Sequence, residues 1–319
     1  MTMNTQSNAV PESSLESQAF APAVISPARR MYWSVRRELW ENRSIYIAPL
    51  AAAAVALVAF LIGMLALPGH RMSTVMALDP ARQRAQIILP YDIAAGLIMA
   101  TAFFVGLYYC LDALHSERRD RSILFWKSLP VSDLTTVLSK ASIPLALMLF
   151  SFVLTFVTQF IMLLLSSAVV LADGLSVATL WTNVSLFQRS LMLLYHLVTV
   201  HALWYAPIYG WLLLVSAWAR RATFLWAVLP PLAISAVEKI AFNTTHFASW
   251  VAYRFSGPEA FTLSSSPGLS AQAGGVSMTG MTSLDPEKFF STPGLWIGLI
   301  VAAAFLFAAA QLRRYRGPI

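Results

Sequence analysis

The chain has 319 residues, of which 58% are hydrophobic and only 12% are charged. Soluble domains usually carry about 25% charged residues, so this composition argues against a soluble protein and indicates an all-α membrane protein with several spans. The formal net charge of +7 is no sign of nucleic-acid binding, because most basic residues flank apolar runs.

The N-terminal region divides into two parts of different composition. Residues 1–26 contain Ser, Ala and Pro but no basic residue, and they are expected to form a disordered cytoplasmic tail. Residues 27–44 mix arginines with aromatic side chains, and four apolar residues share one face at helical spacing: Met31, Tyr32, Val35 and Leu39. This pattern predicts an amphipathic helix in the cytoplasmic interface of a membrane. The alternative is a basic flank that only orients the first span.

Six apolar runs are long enough to cross a bilayer, which takes about 20 residues. They are residues 45–67, 91–114, 141–172, 190–218, 222–241 and 294–312. The third run is too short for two spans and a turn, so it predicts one long helix. Pro207 and Gly210 predict a kink in the fourth span, and Pro230 and Pro231 predict a break in the fifth.

The distribution of basic residues predicts the orientation of the spans. Fifteen of the 22 Lys and Arg residues lie in segments that this topology places inside, and seven lie outside. Because short cytoplasmic segments are enriched in basic residues, both termini and the loop 115–140 are expected in the cytoplasm. The loops 68–90, 175–189 and 242–293 are then on the outer side.

The loop 115–140 holds most of the chain's organised polar sequence. Asp120 is predicted to cap a short helix with an apolar surface made by Ile123, Leu124, Trp126 and Leu129. Pro130 is expected to end that helix, and Ser132 or Asp133 to cap the next. The alternative is an ordinary solvated loop that obeys the positive-inside rule.

The residues of this loop also carry a family resemblance. Glu117-Arg118, the run Ser122-Ile-Leu-Phe-Trp-Lys-Ser-Leu-Pro-Val-Ser132 and then Lys140 resemble the first cytoplasmic loop of type-2 ABC exporter permeases. One departure is that the family often has Gly-Thr where Arg121-Ser122 stands here. The resemblance rests on about twenty-five residues, and the order of spans extends it over most of the chain.

The resemblance implies a transport subunit that is not itself an enzyme. It implies a connecting helix before span one, a short cytoplasmic coupling helix, and a bacterial inner-membrane location. It also implies a separate cytoplasmic ATPase subunit that holds ATP and Mg, a second permease copy as homo- or heterodimer, and contact with membrane lipid. No cofactor, metal or nucleic acid is expected on this chain.

The resemblance also implies which residues contact the ATPase subunit. Ile123, Leu124 and Trp126, with Leu129, would form an apolar knob. Its charged rim would be formed by Glu117, Arg118, Arg119 and Asp120. Glu117 is also expected to pair with a basic residue of the amphipathic helix.

Other chemistry finds little support in the sequence. There is no Walker A motif, and the single cysteine, Cys110, excludes an internal disulfide. His196 and His201 should point about 140° apart on an α-helix, which suits a shared metal poorly. Charges within spans are candidates for functional sites, but Asp92 and Glu238 lie near span ends, where snorkelling to the interface is expected instead. Two alternative functions stay open: an intramembrane enzyme acting on lipid or peptide, and a non-transporting scaffold or assembly factor.

Overall fold

The computed structural model describes residues 26–66, 75, 78–128, 131–172, 174, 176–256 and 286–316. Within these ranges the chain is helical and contains no strand, as the sequence predicts. The predicted tail, apart from Ser26, lies outside the described residues, as does the middle of the predicted loop 242–293.

The first half of the described chain contains one peripheral helix, three long helices and two short ones. They are α1 (Pro27–Glu41), α2 (Ser44–Ala66), α3 (Pro80–Asp112), α4 (His115–Arg119), α5 (Ile123–Ser128) and α6 (Asp133–Ala172). The second half contains α7 (Ala178–Val184), α8 (Leu186–His196), a π-helix (Leu197–Trp204), α9 (Ala206–Trp218), α10 (Thr223–Phe242), α11 (His246–Ser256), α12 (Pro286–Ser291) and α13 (Pro293–Tyr315).

Within the described ranges, five helical segments are long and apolar enough to cross a membrane. They are α2, α3 continued through α4, α6, α10 and α13. The segment Ala178–Trp204 followed by α9 becomes a sixth if its two parts, bent by 47°, form one span. This arrangement fits a multi-pass membrane protein.

The bend in the predicted fourth span lies at Tyr205, between the π-helix and α9. Pro207 stands in the first turn of α9, where its missing N–H costs no hydrogen bond. The predicted kink is therefore confirmed, with the bend two residues before Pro207 and five before Gly210. Gly210 has a different role, because a Cβ there would meet Ala302 O and the Phe305 Cβ at 3.3 Å. The glycine lets α9 approach α13 closely.

The predicted break in the fifth span is wrong, because α10 runs continuously through Pro230 and Pro231. Pro231 has no N–H to donate to Ala227 O, four residues earlier. Trp211 of α9 supplies the missing donor: its Nε1 lies 3.0 Å from Ala227 O. An indole from the neighbouring helix thus satisfies the freed carbonyl and permits an unbroken helix.

Several loop boundaries also differ from the prediction. Helix α3 begins at Pro80, so residues 80–90 are helical and not part of a polar loop. The predicted loop 175–189 contains α7, and the described parts of the loop 242–293 contain α11 and α12. These segments are polar enough to lie outside the apolar runs, yet they keep helix-forming sequences.

The long helices pack as a bundle with two ends. α9 packs against α13, α3 packs against both α2 and α6, and α1 lies along α6. The end that holds α1, α4, α5 and the C-terminal turn of α13 is called the α1 end below. The opposite end holds α7, α11 and α12.

Candidate functional site

Six charged side chains meet at the α1 end and form what is called the ion cluster below. Three are basic and three are acidic: Arg37, Glu38, Glu117, Asp133, Lys140 and Arg313. They come from α1, α4, α6 and α13, which are far apart in the sequence. The cluster therefore ties four separate parts of the chain together.

Glu38 and Lys140 form the centre of the ion cluster. Lys140 Nζ donates to Glu38 Oε1 at 2.9 Å and to Oε2 at 3.0 Å. The Tyr109 hydroxyl donates to Glu38 Oε2 at 2.7 Å, and Arg37 Nη2 donates to Oε1 at 2.7 Å. The Glu38 carboxylate, only 1% exposed, thus has every oxygen engaged, as a buried charge requires.

Glu117 connects the centre of the ion cluster to Arg313, near the C-terminal end of α13. Its Oε1 lies 3.2 Å from Lys140 Nζ and 3.5 Å from Arg37 Nη2. Its Oε2 accepts from Arg313 Nη2 at 3.2 Å, and Arg313 also pairs with Asp133. The expected pairing of Glu117 with a basic residue of α1 is confirmed by its contact with Arg37.

Burial and charge balance define the energetics of the ion cluster. Glu38, Lys140, Glu117 and Arg313 are all buried. Desolvation by burial alone would raise the pKa of Glu38, but the nearby Lys140 ammonium, Tyr109 hydroxyl and Arg37 guanidinium together hold that pKa below its ordinary value of 4.5. Removing one partner of such a buried pair typically costs about 3–5 kcal/mol, because an uncompensated charge remains.

Two contacts attach the short helix α5 to this end of the bundle. The Arg37 guanidinium lies over the Trp126 ring, 3.6 Å from its centroid. Lys127 Nζ donates to Arg314 O at 3.3 Å and to Arg316 O at 3.2 Å. Helix α5 is therefore linked to α1 through a member of the ion cluster and to α13 through the chain's C-terminal turn.

The preceding helix α4 is anchored to the end of α9. Arg118 Nη1 donates to Ala217 O at 2.7 Å and to Ala219 O at 3.2 Å. Ser216 Oγ accepts from the backbone N–H groups of Leu114 and His115, both at 2.9 Å. These bonds occupy the end of α9 and hold the turn between α3 and α4 against it.

The structure divides the predicted ATPase-contact residues into two groups. Ile123, Glu117 and Arg118 are buried inside the chain and do not form an outward knob or rim. The burial of Glu117 and Arg118 follows from the ion cluster and from the bonds of Arg118 to the end of α9, which hold α4 against the bundle. Trp126 is partly buried against Arg37, and Leu129 lies outside the described residues.

The outward surface of α5 is smaller than predicted and includes a residue that the prediction omitted. Leu124 is 60% exposed and Phe125 is 59% exposed. Arg119 and Asp120, which form an exposed ion pair at 3.0 Å, precede α5 in the chain. Asp120 follows α4 and bonds Arg119, so it does not cap α5 as predicted. Ser132 does cap α6, because its Oγ accepts from Thr135 N at 3.1 Å.

Sequence reasoning did not single out Glu38, although one signal was present. Glu38 stands three residues after Val35 and beside Leu39, so a carboxylate interrupts the apolar face of α1. A charge on an apolar face needs a buried partner. Lys140, just before an uncharged run, is the basic residue that the fold brings to it.

Two carboxylates at the other end, Asp92 and Glu238, have structural partners. Asp92 pairs with Arg189, and both side chains are largely buried, so Asp92 does not snorkel as expected. Glu238 accepts from the N–H groups of His246 at 2.7 Å and Phe247 at 2.8 Å, and so caps α11. Both carboxylates therefore have clear packing roles.

The two histidines of the fourth span are closer than an α-helix would place them. Their ring centroids are 5.5 Å apart, because a π-helix brings residues five apart onto one face. The prediction that His196 and His201 point about 140° apart is therefore wrong. Among the described residues no group of three or more His, Cys, Asp or Glu side chains could hold a metal ion.

Comparison of the chain with protein-family models, with curated proteins and with solved structures finds no match.

Proposed function

We propose that the chain is the permease subunit of an ABC exporter in a bacterial inner membrane. Two such chains, identical or different, would associate with cytoplasmic ATPase subunits that bind Mg and ATP. This chain would provide the membrane path and a surface for the ATPase, and would hold no nucleotide itself.

The observation that carries the proposal is the attachment of α5 at the α1 end. A six-residue helix exposes two adjacent large apolar side chains, Leu124 and Phe125, and an exposed charged pair, Arg119 and Asp120, precedes it in the chain. Small apolar centres with polar rims are typical of protein contacts. Because α5 joins two long apolar helices, a partner bound there would act directly on the bundle.

The ion cluster gives such a partner a route into the bundle. Displacing α5 would move Trp126 against Arg37, and Arg37 contacts both Glu38 and Glu117. Packed interfaces and cores switch between discrete arrangements and do not deform continuously. A displacement at α5 would therefore be passed to α1, α6 and α13 together, as coupled transport requires.

The proposal includes an orientation with the α1 end in the cytoplasm. Its support is the excess of basic residues in segments assigned to that side. Reporters fused after Lys127, Arg221 and Arg316 should read cytoplasmic. Reporters within residues 70–85 or 260–285 should read exterior. An exterior signal after Lys127 would contradict the proposal, because α5 could not reach a cytoplasmic ATPase.

Co-purification with an ATP-binding cassette subunit from the same genome tests the function. The double variant Leu124→Ala/Phe125→Ala should insert normally but retain much less ATPase subunit, since truncating contact anchors typically costs about 2 kcal/mol or more. Leu149→Ala/Phe150→Ala is a matched control, because this adjacent Leu-Phe pair is also exposed but lies within α6.

Permease-dependent ATP hydrolysis distinguishes a coupled transport subunit from a passive scaffold. The wild-type complex should hydrolyse ATP at a rate that depends on the permease, and the α5 variant should lose that dependence. Full retention of ATPase subunit and of permease-dependent hydrolysis in the α5 variant would contradict the proposal. Binding without any permease-dependent hydrolysis in the wild type would favour the scaffold function instead.

A further inference from the structure

A cavity of about 420 Å³ lies between α2, α3 and α6, away from the ion cluster. Its volume falls within the range of about 300–1,000 Å³ that is usual for small-molecule sites. Along α3 it extends from Gln86 to Leu97, about 16 Å at 1.5 Å per residue. The cavity is therefore long enough for a segment of extended hydrocarbon chain, and it is longer than a compact solute needs.

The wall of the cavity is apolar. Phe60, Ile87, Ile93 and Met162 are among its lining side chains. Its two hydroxyls, those of Tyr91 and Ser166, bond each other at 3.1 Å. A wall whose hydroxyl groups already bond each other favours a hydrocarbon ligand over water or a polar solute.

The cavity opens toward the surroundings of the bundle. Val55, Leu89 and Ile93 line it and are also 49–61% exposed. They belong to α2 and α3, two of the helices that can cross a membrane. A cleft that opens sideways between two such helices is accessible to lipid acyl chains.

A basic residue stands one helical turn beyond the polar end of the cavity and outside its lining. Gln86 lies at the end of the lining along α3, and Arg82 stands one turn earlier on the same face. The Arg82 side chain is 81% exposed, and its Nε lies 3.7 Å from Asp79 Oδ2. About 45 Å of helix separates Arg82 from Asp112, which is about the thickness of a bilayer including its headgroups. Arg82 therefore lies among the headgroups of one leaflet when Asp112 lies among those of the other.

We infer that this cavity binds one acyl chain of an anionic phospholipid, with the phosphate beside Arg82 and Gln86. The lipid belongs to the leaflet opposite the α1 end. The inference depends on the membrane-spanning helices and not on the exporter proposal. The bundle would thus have a specific binding site for one lipid of the bilayer.

Photolabelling of the full chain in vesicles tests the inference. The vesicles are phosphatidylcholine with a small fraction of phosphatidylglycerol that carries a diazirine on one acyl chain, and adducts are mapped by mass spectrometry. Adducts should concentrate on α2 and α3 residues that line the cavity. Gly63→Leu should lower that labelling about tenfold, because its side chain fills space that the lipid would occupy.

Gly63→Leu should fill the cavity without disturbing the fold. Gly63 lines the cavity, and a Cβ added there meets no atom within 4 Å, so the chain should still fold. Ala59→Leu fills the same cavity from another position and guards against a folding defect in one variant. Gly96→Leu is the matched control, because Gly96 also has open space but does not line the cavity. It should label like the wild type.

A second arm tests the headgroup. Arg82→Gln should remove the preference for the phosphatidylglycerol probe over a phosphatidylcholine probe with the same diazirine chain. Unchanged labelling in both cavity-filling variants, or adducts spread evenly over exposed faces such as α10, would overturn the inference. An unchanged headgroup preference in Arg82→Gln would overturn the assignment of the phosphate. Cross-links between two copies of the chain at the cavity would show a subunit interface there instead.

Discussion

Lys140 and Glu38 join α6 to α1 across 102 residues of sequence, through hydrogen bonds of 2.9 and 3.0 Å in a site almost closed to solvent. Neither residue can lose its partner without leaving a buried charge. This pair is therefore the point at which the position of α1 relative to the long helices is most strongly specified.

Lys140→Met tests the energetic importance of the pair. The variant leaves the Glu38 carboxylate with fewer neutralising groups, and the free energy of unfolding should fall by about 3–5 kcal/mol. The double variant Glu38→Gln/Lys140→Met removes both charges and should recover a large part of that loss. Denaturant titration in micelles measures the free energy of unfolding of the wild type, of Glu38→Gln, of Lys140→Met and of the double variant.

Lys127→Met is the control for this cycle, since Lys127 is exposed and bonds only two carbonyl oxygens at the surface. Its effect should be small. If Lys140→Met proves as mild as Lys127→Met, the ion cluster does not hold α1 in place.

The lowered pKa of Glu38 predicts an acid-sensitive packing of α1. A carboxylate whose folded pKa lies below its ordinary value of 4.5 binds fewer protons folded than unfolded near that pH, so its contribution to stability is fully present above pH 4.5. That contribution is lost as the pH falls through the folded pKa, below 4.5. Glu38→Gln should flatten this part of the stability profile, measured by thermal unfolding across the acid range. An unchanged profile in the variant would contradict the assignment.

Arg121 offers a test of the turn between α4 and α5. Its φ of 59° lies in the left-handed region, which non-glycine residues avoid at a cost of about 1–2 kcal/mol. Arg121→Gly should therefore raise the melting temperature, whereas Arg119→Gly, within α4, should lower it. A lower melting temperature for Arg121→Gly would show that the arginine side chain is needed for a contact.

Local sequence patterns predicted much of the fold because hydropathy and capping are local properties. The run after Arg43 predicted α2, and Ser132 predicted the start of α6. Hydropathy failed at Pro80, because a helix can continue beyond the apolar run that marks the membrane. The π-helix and the indole bond to Ala227 depend on neighbouring helices, which no local pattern reports.

The candidate site was only partly predictable for the same reason. Glu117 was expected to meet a basic residue of α1, and it does. The burial of Ile123 and Arg118 was missed, because exposure within a short polar loop depends on how its helices pack. Phe125 was passed over because six residues are too few to define an apolar face from periodicity.

Site-specific photocross-linking in cells can detect the proposed contact between the exposed face of α5 and an ATP-binding cassette subunit. A photoreactive benzoylphenylalanine replaces Leu124, and, as control, Ile240, which is 85% exposed on α10. Cross-linked products are purified through the tagged permease and identified by mass spectrometry. We expect a cross-linked ATP-binding cassette subunit at position 124 and none at position 240. Intact, correctly inserted protein that cross-links at position 124 only to lipid, to nothing, or to a protein without a nucleotide-binding cassette would contradict the proposed contact.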